Sequence, residues 1–408
     1  MRCLAELLFL AHRIPCPPTK GDKIRAYHFL SHLARTHVVH LGCLIDDAAD
    51  WRHVEQLRRL CHECHFAALT RARRVMRAAG GLAANEAITV ATLRDPALGR
   101  WIADLLRRRP VDGVLAYSSG MAQFLAAVPP TAVRIVDFVD VDSEKWRQLA
   151  SSRPWPWSWL YRREARQLRA FDRAAAGWCD HAMFVSPAEA QRFQELIPAA
   201  RAKTRVVPNG VDSGYFAPEV VPPCPFPQGG PVLAFTGDMS YWPNEDAVLW
   251  FARAVLPRLR ARRPDLRFFV VGRAPGGRLR RAAPRLGMEL TGTVPDVRPF
   301  LAHAALVVAP LRIARGVPNK VLEAMAMAKA VVATPAAIAG LGLRPGDDVL
   351  IAEAPSAFAE AVAGLLDPCR AADLGARARA RVVADYAWES SFRRLDRVIN
   401  IRPRSAAS

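Results

Sequence analysis

Residues 315–328 read RGVPNKVLEAMAMA, a loop that leads directly into a short alanine-rich helix. An apolar run of strand length, 305–310, precedes this loop, and a second such run, 330–335, follows the helix. This order of strand, loop, helix and strand predicts a parallel β-α-β unit. Because open α/β folds bind ligands at the carboxyl edge of the sheet, the loop is a candidate binding site.

The start of the predicted helix carries groups that suit a phosphorylated ligand. Pro318 fits the first helical turn, where its missing N–H would be unsatisfied anyway, and free N–H groups at that end favour an anion. Lys320 offers a point charge to a phosphate, and Glu323 offers a carboxylate to ribose hydroxyls. The alternative is an ordinary buried crossover helix with a solvated Lys and Glu, since a short motif is only a hypothesis.

Length and composition predict two domains and polyanionic partners. A chain of 408 residues, 51% hydrophobic, is too long for one hydrophobic core and can bury two. Its net charge of +19 attracts nucleic acid, anionic lipid or phosphorylated small molecules without choosing among them. Eight scattered cysteines fit a reducing cytoplasm. Cys61 and Cys64 form a lone Cys-x-x-Cys without a second pair at metal spacing, which favours a structural role for them over zinc binding.

The first half of the chain predicts a doubly wound sheet with a basic first loop. Apolar strands at 4–10, 37–44, 113–117, 134–140 and 181–185 are separated by segments that include helical patterns. The first loop lacks the G-x-G-x-x-G of a dinucleotide site. We predict that it binds an anionic acceptor, with a solvated basic turn as the alternative, through Lys20, Gly21, Asp22, Lys23 and Arg25.

Two acidic residues follow the strand at 134–140. Asp140 and Asp142 lie in the polar loop at the end of this strand, and their spacing suggests a metal site. Two carboxylates alone make a poor metal cage, and we therefore predict no metal site. Capping of the following helix is the alternative role.

The second half repeats the α/β alternation after a proline-dense connection at 217–231. A strand at 232–237 and a loop at 238–246 precede a helix at 247–262, and further strands are predicted at 266–271 and 288–292. The resulting domains are 1–205, 206–385, and a C-terminal helix and tail, 386–408, that packs back on the first domain.

Several segments jointly resemble family 4 retaining glycosyltransferases of the GT-B fold. They are 208–212 (PNGVD), 292–297 (GTVPDV), 309–311 (APL) and 321–326 (VLEAMA). The resemblance implies two Rossmann-like domains that face each other across a cleft, and a nucleotide-sugar donor that is a substrate, with no cofactor. It implies a donor site formed by Gly237, Asn244, Arg273, Val294, Pro295, Arg315, Gly316, Pro318, Asn319, Lys320 and Glu323.

The chain departs from the family at one donor position. The family places two glutamates eight positions apart, the first on the sugar and the second on the ribose. Glu323 matches the second, whereas Arg315 stands at the first. The resemblance implies that Lys320 and Arg273 hold the diphosphate, whose oxygen takes the acceptor proton while pre-organised charge stabilises the transition state. It also implies that Asp140 and Asp142, which lie about where the family has a catalytic residue at the end of a strand of the first domain, are candidate catalytic residues together with Lys320.

The first half resembles the branch of sugar transferases associated with bacterial PEP-CTERM and exopolysaccharide systems, through segments 17–25 and 137–146. This implies a saccharide or lipid-linked acceptor and a cytoplasmic enzyme at the inner face of the plasma membrane. The stretch from Trp155 to Arg169 combines Trp, Tyr and Arg in a way that suits an anionic membrane surface. Packing of these Trp inside the domain is the alternative.

Two other functions fit parts of the sequence. A sugar-nucleotide epimerase of the same fold would turn over nucleotide-sugar without an acceptor. A nucleic-acid-binding module is suggested by charge alone, but Arg is spread over both halves and no recognition motif is present, so no specific nucleic acid is predicted.

Overall fold

The computed structural model describes residues 4–18, 21–151, 153–219, 223–313 and 318–401. The chain divides into two compact units. One contains the chain up to Val207 together with the segment that begins at Phe392, and the other runs from Pro208 to Ser391. None of the helices in the described ranges is long and apolar enough to cross a membrane.

The first unit is a parallel β-sheet, and helical segments connect its successive strands. Its strands are β1 Glu6–Ala11, β2 Val38–Ile45, β3 Glu63–Ala68, β4 Gly113–Tyr117, β5 Val133–Val139, β6 His181–Phe184 and β7 Thr204–Val206. Its α-helices are α1 Gly21–Leu33, α2 Val54–Leu60, α3 Arg71–Ala83, α4 Ile88–Leu93, α5 Pro96–Arg108, α6 Asp142–Ser151, α7 Trp157–Trp178 and α8 Pro187–Leu196. Three 3₁₀ segments are Ala48–His53, Ser119–Ala127 and Pro198–Lys203.

The strand order is β3-β2-β1-β4-β5-β6-β7, and every pairing is parallel. The central strands are almost continuously apolar, as expected where helices cover both faces of a sheet. The order reverses direction between β1 and β4, so the ends of these strands form a topological switch point, the usual ligand position in such a sheet.

The second unit has the same architecture with six strands. They are β8 Val232–Thr236, β9 Arg267–Val271, β10 Met288–Gly292, β11 Leu306–Ala309, β12 Val331–Ala333 and β13 Leu350–Ile351. The helices are α9 Trp242–Trp250, α10 Leu256–Arg260, α11 Gly277–Leu286, α12 Arg298–His303, α13 Asn319–Ala326, α14 Pro335–Ile338, α15 Pro355–Gly364, α16 Pro368–Asp385 and α17 Trp388–Ile399. A π-helical segment, Phe251–Val255, joins α9 to α10.

The order in this sheet is β10-β9-β8-β11-β12-β13, again wholly parallel, with its switch point between β8 and β11. The predicted α/β fold of two doubly wound parallel sheets is therefore confirmed. The predicted β-α-β unit around residue 320 is β11-α13-β12, whose two strands are direct neighbours.

The units divide between Val207 and Pro208, within two residues of the predicted boundary at 205/206. The proline-dense connection therefore lies inside the second unit, which the chain joins early: the N–H of Val211 donates to the carbonyl of Tyr386 at 2.7 Å. One predicted helix start is wrong. The helix predicted to begin at Ala247 begins at Trp242. Pro243 does not block this start, since proline is tolerated in a first helical turn.

The end of the chain packs within the first unit. The ring of Phe392 stacks on that of His32 with centroids 4.2 Å apart, and His32 Nε2 lies 2.8 Å from Asp396 Oδ1. Ile401 lies against Gly113, where an added Cβ would collide with its side chain. Helix α17 therefore begins in one unit and ends in the other.

Candidate active site

The carboxyl edge of the second sheet gathers polar side chains from two neighbouring strands. Gly237 follows β8, Asn244 lies in the first turn of α9, and Lys320 lies in the first turn of α13, which follows β11. Because β8 and β11 are paired, the loops after them meet at the switch point. Asn244 belongs to a helix and not to the predicted loop, which fixes its side chain more firmly.

Within the part of the chain that the structure describes, Lys320 forms no ion pair. Its Nζ donates to Asn244 Oδ1 at 2.6 Å and lies 4.0 Å from the centroid of the Phe235 ring. A Cβ on Gly237 would stand 2.7 Å from Nζ, so the glycine is needed for this close approach. Burial lowers the pKa of Lys320 to about 7, against the opposing charge of Glu323. An ammonium in such surroundings gains much from an incoming anion.

Glu323 is the second free charge at this edge. Its carboxylate accepts no hydrogen bond and has no cation within ion-pair distance among the described residues. Burial raises the pKa of Glu323 to about 7, and the charge of Lys320 opposes the rise. A half-buried carboxyl group without a partner is typical of a ligand site, because an unpaired polar group costs stability.

The start of α13 also keeps unsatisfied groups. In the described part of the chain no side chain caps this helix, and Asn319 Oδ1 is buried without a hydrogen-bond partner. An uncapped helix N-terminus with a lysine in its first turn suits a phosphate. Pro318 holds the N-cap position, as the sequence predicted within one residue. Arg315 and Gly316 lie outside the described residues.

Arg273 lies at the same edge but already has a partner. It follows β9 and binds Asp238 through Nε at 2.8 Å, while its carbonyl accepts the N–H of Met239 at 2.9 Å. Partial burial would raise the pKa of Asp238, but hydrogen bonds from Ser240 and Arg273 hold it below its usual value. Arg273 must exchange this carboxylate for a diphosphate before it can act as predicted.

Val294 and Pro295 lie further along this edge. They follow β10, which is the outermost strand, two positions from β8. Val294 packs against an apolar group that includes Val232 and Phe269, whereas Pro295 is exposed. Their contact with a donor stays a prediction.

At the carboxyl edge of the first sheet, Asp140 follows β5. Val139 before it has φ +67, a left-handed conformation that a β-branched residue rarely adopts and that often marks a functional site. Asp140 Oδ1 is buried without a hydrogen-bond partner among the described residues. Burial, followed by the charges of Glu189 and Asp142, raises the pKa of Asp140 to about 7. A carboxyl group with this pKa suits proton transfer near neutral pH.

Asp142 is the first residue of α6. Its carboxylate lies 3.7 Å from Lys145 Nζ and is partly exposed. Within the described ranges, the side-chain carboxylates of Asp140 and Asp142 accept no hydrogen bond from a backbone N–H. The alternative of helix capping is therefore not what the structure shows.

Asp22 marks the start of α1 at the same edge, directly after Gly21. It binds Arg13 NH1 at 2.5 Å and His12 Nε2 at 3.5 Å, and its carbonyl accepts the hydroxyl of Tyr117 at 2.8 Å. These partners hold the pKa of Asp22 below its usual value although burial would raise it. Lys20, in the same predicted acceptor group, lies outside the described residues.

Two predicted acceptor residues are used inside the domain. Arg25 is fully buried and binds the equally buried Asp137 through two nitrogens, at 2.8 and 3.1 Å. Lys23 is buried as well, and its Nζ lies 2.5 Å from Asp50 Oδ2. The prediction that Arg25 contacts an acceptor is wrong, because a buried guanidinium that forms a bidentate pair presents no donor to a ligand. Lys23 is unsuitable as well, because its buried ammonium is paired with Asp50.

Three polar residues at these edges were missed in the sequence. His12, after β1, stacks on Tyr117 with centroids 5.6 Å apart. Asp238 follows Gly237 and holds Arg273. Asp172, on α7, accepts from Ser119, and burial raises its pKa to about 7. The position of His12 and Asp238 directly after apolar strands was the available signal, whereas nothing near Asp172 in the sequence indicates its place.

One cluster of metal-type ligands occurs in the described part of the chain, at the start of β2 and β3. It comprises His40, His62 and Glu63. Glu63 is already bound by Arg108 at 3.1 Å and lies 3.5 Å from Arg109. Two cations beside the only carboxylate of the group oppose the binding of a metal ion.

Two family models match the chain, one mainly in the first unit and the other within the second. The family model described as glycosyltransferase family 4 matches residues 51–215, and the model described as glycosyl transferases group 1 matches residues 230–368. No curated protein matches the chain.

Solved structures of similar fold span the whole chain. A glycosyltransferase from Rickettsia africae has 15% identity and a TM-score of 0.69, covering 98% of this chain and 100% of its own. The sucrose-phosphate synthase of Thermosynechococcus elongatus has 16% identity and a TM-score of 0.69, covering 97% and 98%. HepE from Anabaena, solved with UDP and glucose, has 14% identity and a TM-score of 0.66, covering 97% and 99%.

These structural matches are too distant in sequence to show more than the fold, which they share with the two parallel sheets described above. The family models add the activity, since both describe glycosyltransferases and together match most of the chain. The protein is therefore a glycosyltransferase with a GT-B-like α/β fold, similar to family 4 and group 1.

Proposed function

We propose that the protein is a retaining glycosyltransferase that moves a sugar from a nucleotide-sugar to a lipid-linked saccharide in exopolysaccharide biosynthesis. The observation that carries the donor assignment is the pair Lys320 and Glu323, two charged groups at the switch point of the second sheet that form no ion pair within the described ranges. HepE, solved in complex with UDP-glucose, supports the donor class by its fold.

Lys320 and the uncapped start of α13 supply positive potential at one place. When the bond between the sugar C1 and the diphosphate oxygen breaks, negative charge grows on that oxygen, and a pre-organised cation and free N–H groups stabilise it. The acceptor oxygen then bonds to C1 on the face that the diphosphate leaves. The acceptor proton passes to the diphosphate, so no nucleophile from the chain is required.

Glu323 and Asp140 complete the proposal. The carboxylate of Glu323, one helical turn after Lys320, accepts from the ribose hydroxyls of the donor. Asp140 has a raised pKa, and its Oδ1 has no hydrogen-bond partner among the described residues. It positions the acceptor hydroxyl. The acceptor class and the exopolysaccharide role rest on the resemblance of segments 17–25 and 137–146 to that branch of transferases.

A two-stage experiment tests this function. Thermal shift against a panel of nucleotide-sugars identifies the donor, because a ligand at 100 times its Kd adds about 2.7 kcal/mol to the stability. Transfer to lipid-linked saccharide acceptors is then followed, and NMR of the product gives the anomeric configuration. Retention of the donor configuration is expected. An inverted product would overturn the retaining mechanism, and turnover without any acceptor would instead indicate an epimerase.

A further inference from the structure

Helix α3 of the first unit turns its apolar side away from the protein. Val75, Met76 and Leu82 are between 42% and 69% exposed. The opposite side makes the contacts: Gly81 is the buried residue of the helix, and a Cβ added there would collide with the side chain of Ala91 on α4. Amphipathic helices of globular domains normally bury the apolar side, so this orientation requires an explanation.

The arginines of α3 confirm which side faces the protein. Arg77 binds Asp95 at 2.6 Å and the carbonyl of Thr92 at 3.3 Å, and Arg73 binds the carbonyl of Ala68 at 3.0 Å. Residues 73, 77 and 81 form one stripe at helical spacing, whereas residues 75, 76, 79 and 82 lie together on another side. The polar stripe anchors the helix, and the apolar stripe is left for something outside the domain.

Exposed tryptophans lie just before α7 and in its first turn. Trp155, Trp157 and Trp159 are each at least 50% exposed, so the alternative that they pack inside the domain is wrong. Arg163, one turn after Trp159, is buried and donates to the carbonyls of Gly81 and Leu82 at the end of α3. Arg163 is therefore a structural link between the two helices and not a lipid contact.

We propose that α3 and the segment from Trp155 to Trp159, called the α3/Trp surface below, dock on an anionic lipid bilayer. Apolar side chains of α3 enter the boundary between headgroups and acyl chains, and the indole rings lie in the headgroup zone. Docking requires no donor chemistry, so the proposal stands apart from the proposed function and would bring the enzyme to lipid-linked substrates.

The charge of the surface selects the lipid. Arg71 and Arg74 of α3 and Arg166 of α7 are exposed, and none of them has an ion-pair partner among the described residues. Helix α3 contains no acidic residue. Cations beside an apolar stripe complement anionic headgroups, whereas the apolar residues alone would suit any apolar partner. A neutral bilayer should therefore bind more weakly than an anionic one.

Sedimentation of the full chain with vesicles tests the proposal. The vesicles contain phosphatidylcholine alone or phosphatidylcholine with phosphatidylglycerol. The Val75→Asp/Met76→Asp variant should lower the partition coefficient on anionic vesicles by about ten- to hundredfold, since two inserted side chains are lost. Both positions are exposed, so circular dichroism and the melting temperature should match the wild type.

A matched control separates insertion from the change in net charge. Ala380→Asp/Val383→Asp places the same two charges on exposed positions of α16 in the second unit and should bind like the wild type. A second variant, Trp155→Phe/Trp157→Phe/Trp159→Phe, should lose most of the fluorescence quenching by brominated lipid, and unchanged quenching would remove the tryptophans from the surface. This variant tests the depth of the indole rings independently.

Three results would overturn the proposal. Wild-type protein that stays in the supernatant at low salt has no bilayer affinity, and equal partition of the α3 variant and the wild type would remove α3 from any docking surface. If the wild type ignores vesicles and the α3 variant instead lowers its mass in analytical ultracentrifugation, the surface joins two copies of the chain and the lipid assignment fails.

Discussion

Helices α1 and α13 each begin at the switch point of their own sheet, although on different sides of it, and their cations have different partners. Each helix follows a central strand that borders the switch point, β1 for α1 and β11 for α13. In α1, Arg25 meets the buried carboxylate of Asp137. In α13, Lys320 contacts the amide of Asn244 and the ring of Phe235 and forms no ion pair among the described residues.

The difference separates structural charges from charges available to a ligand. A buried cation that is paired with a carboxylate holds two elements together and cannot be released cheaply. A cation that faces neutral groups remains poorly compensated until an anion arrives, and its pKa falls accordingly. The Lys320 ammonium would therefore be stabilised by an incoming anion, whereas Lys23 and Arg25 of α1 are already paired with carboxylates.

The largest effect is expected from removing the structural cation, Arg25. Arg25→Met should lower the free energy of unfolding by about 3–5 kcal/mol, because Asp137 is left as an uncompensated buried charge. Urea denaturation measures the loss. The double variant Arg25→Met/Asp137→Leu should regain most of it, since two apolar side chains replace the pair. A fully stable Arg25→Met protein would contradict the structural role.

Lys320→Met and Glu323→Gln test the ligand side. Each should lower kcat/KM by about ten- to hundredfold, since each removes a charge-assisted hydrogen bond worth roughly 1.5–3 kcal/mol. Stability should not fall, because neither group has an opposite charge bound to it. Lys329→Met, which removes a cation just after the other end of α13, serves as the control and should keep wild-type kinetics. Wild-type activity in both variants would remove the donor assignment.

The pH dependence of donor affinity sharpens the comparison further. The pKa of Lys320 is lowered to about 7, so the ammonium is present below this pH and is lost as the pH rises through it. The contribution of the Lys320 ammonium to nucleotide-sugar affinity should fall by about tenfold between pH 6.5 and 8, as one proton is linked to binding. Glu323 ionises over the same range, so the net fall in the wild type is smaller and the full fall is expected in Glu323→Gln.

Isothermal titration calorimetry in buffers of different ionisation enthalpy should detect proton uptake on binding above pH 7. The Lys320→Met variant should lose this uptake, and Glu323→Gln should show a steeper decline in affinity than the wild type. An affinity that rises with pH in the wild type would contradict the assignment of Lys320 to the diphosphate.

The smallest expected effect concerns metal ions. Treatment with EDTA should leave the transfer rate nearly unchanged, because Lys320 and the start of α13 supply the positive charge that a metal would otherwise provide. Two carboxylates at Asp140 and Asp142 are also too few for a cation cage. A strict requirement for Mn²⁺ or Mg²⁺ would show that the diphosphate needs more charge than this edge contains.

The sequence by itself determined the two parallel sheets and the place of the donor candidates within them. Apolar runs of strand length and helical spacing are local patterns, and the strand-helix order restricts the topology to parallel crossovers. The same patterns placed Lys320 at the start of a helix, because Pro318 and the preceding strand lie within 15 positions of it in the printed sequence.

Only the tertiary structure decided which charges are free and which side of a helix faces the core. Arg25 and Asp137 lie 112 positions apart, so nothing local distinguishes Arg25 from Lys320. The amphipathic pattern of α3 predicts two sides but not their direction, and the direction came from Arg77, Gly81 and their neighbours. Local spacing specifies an element, whereas long-range contacts fix what each of its side chains meets.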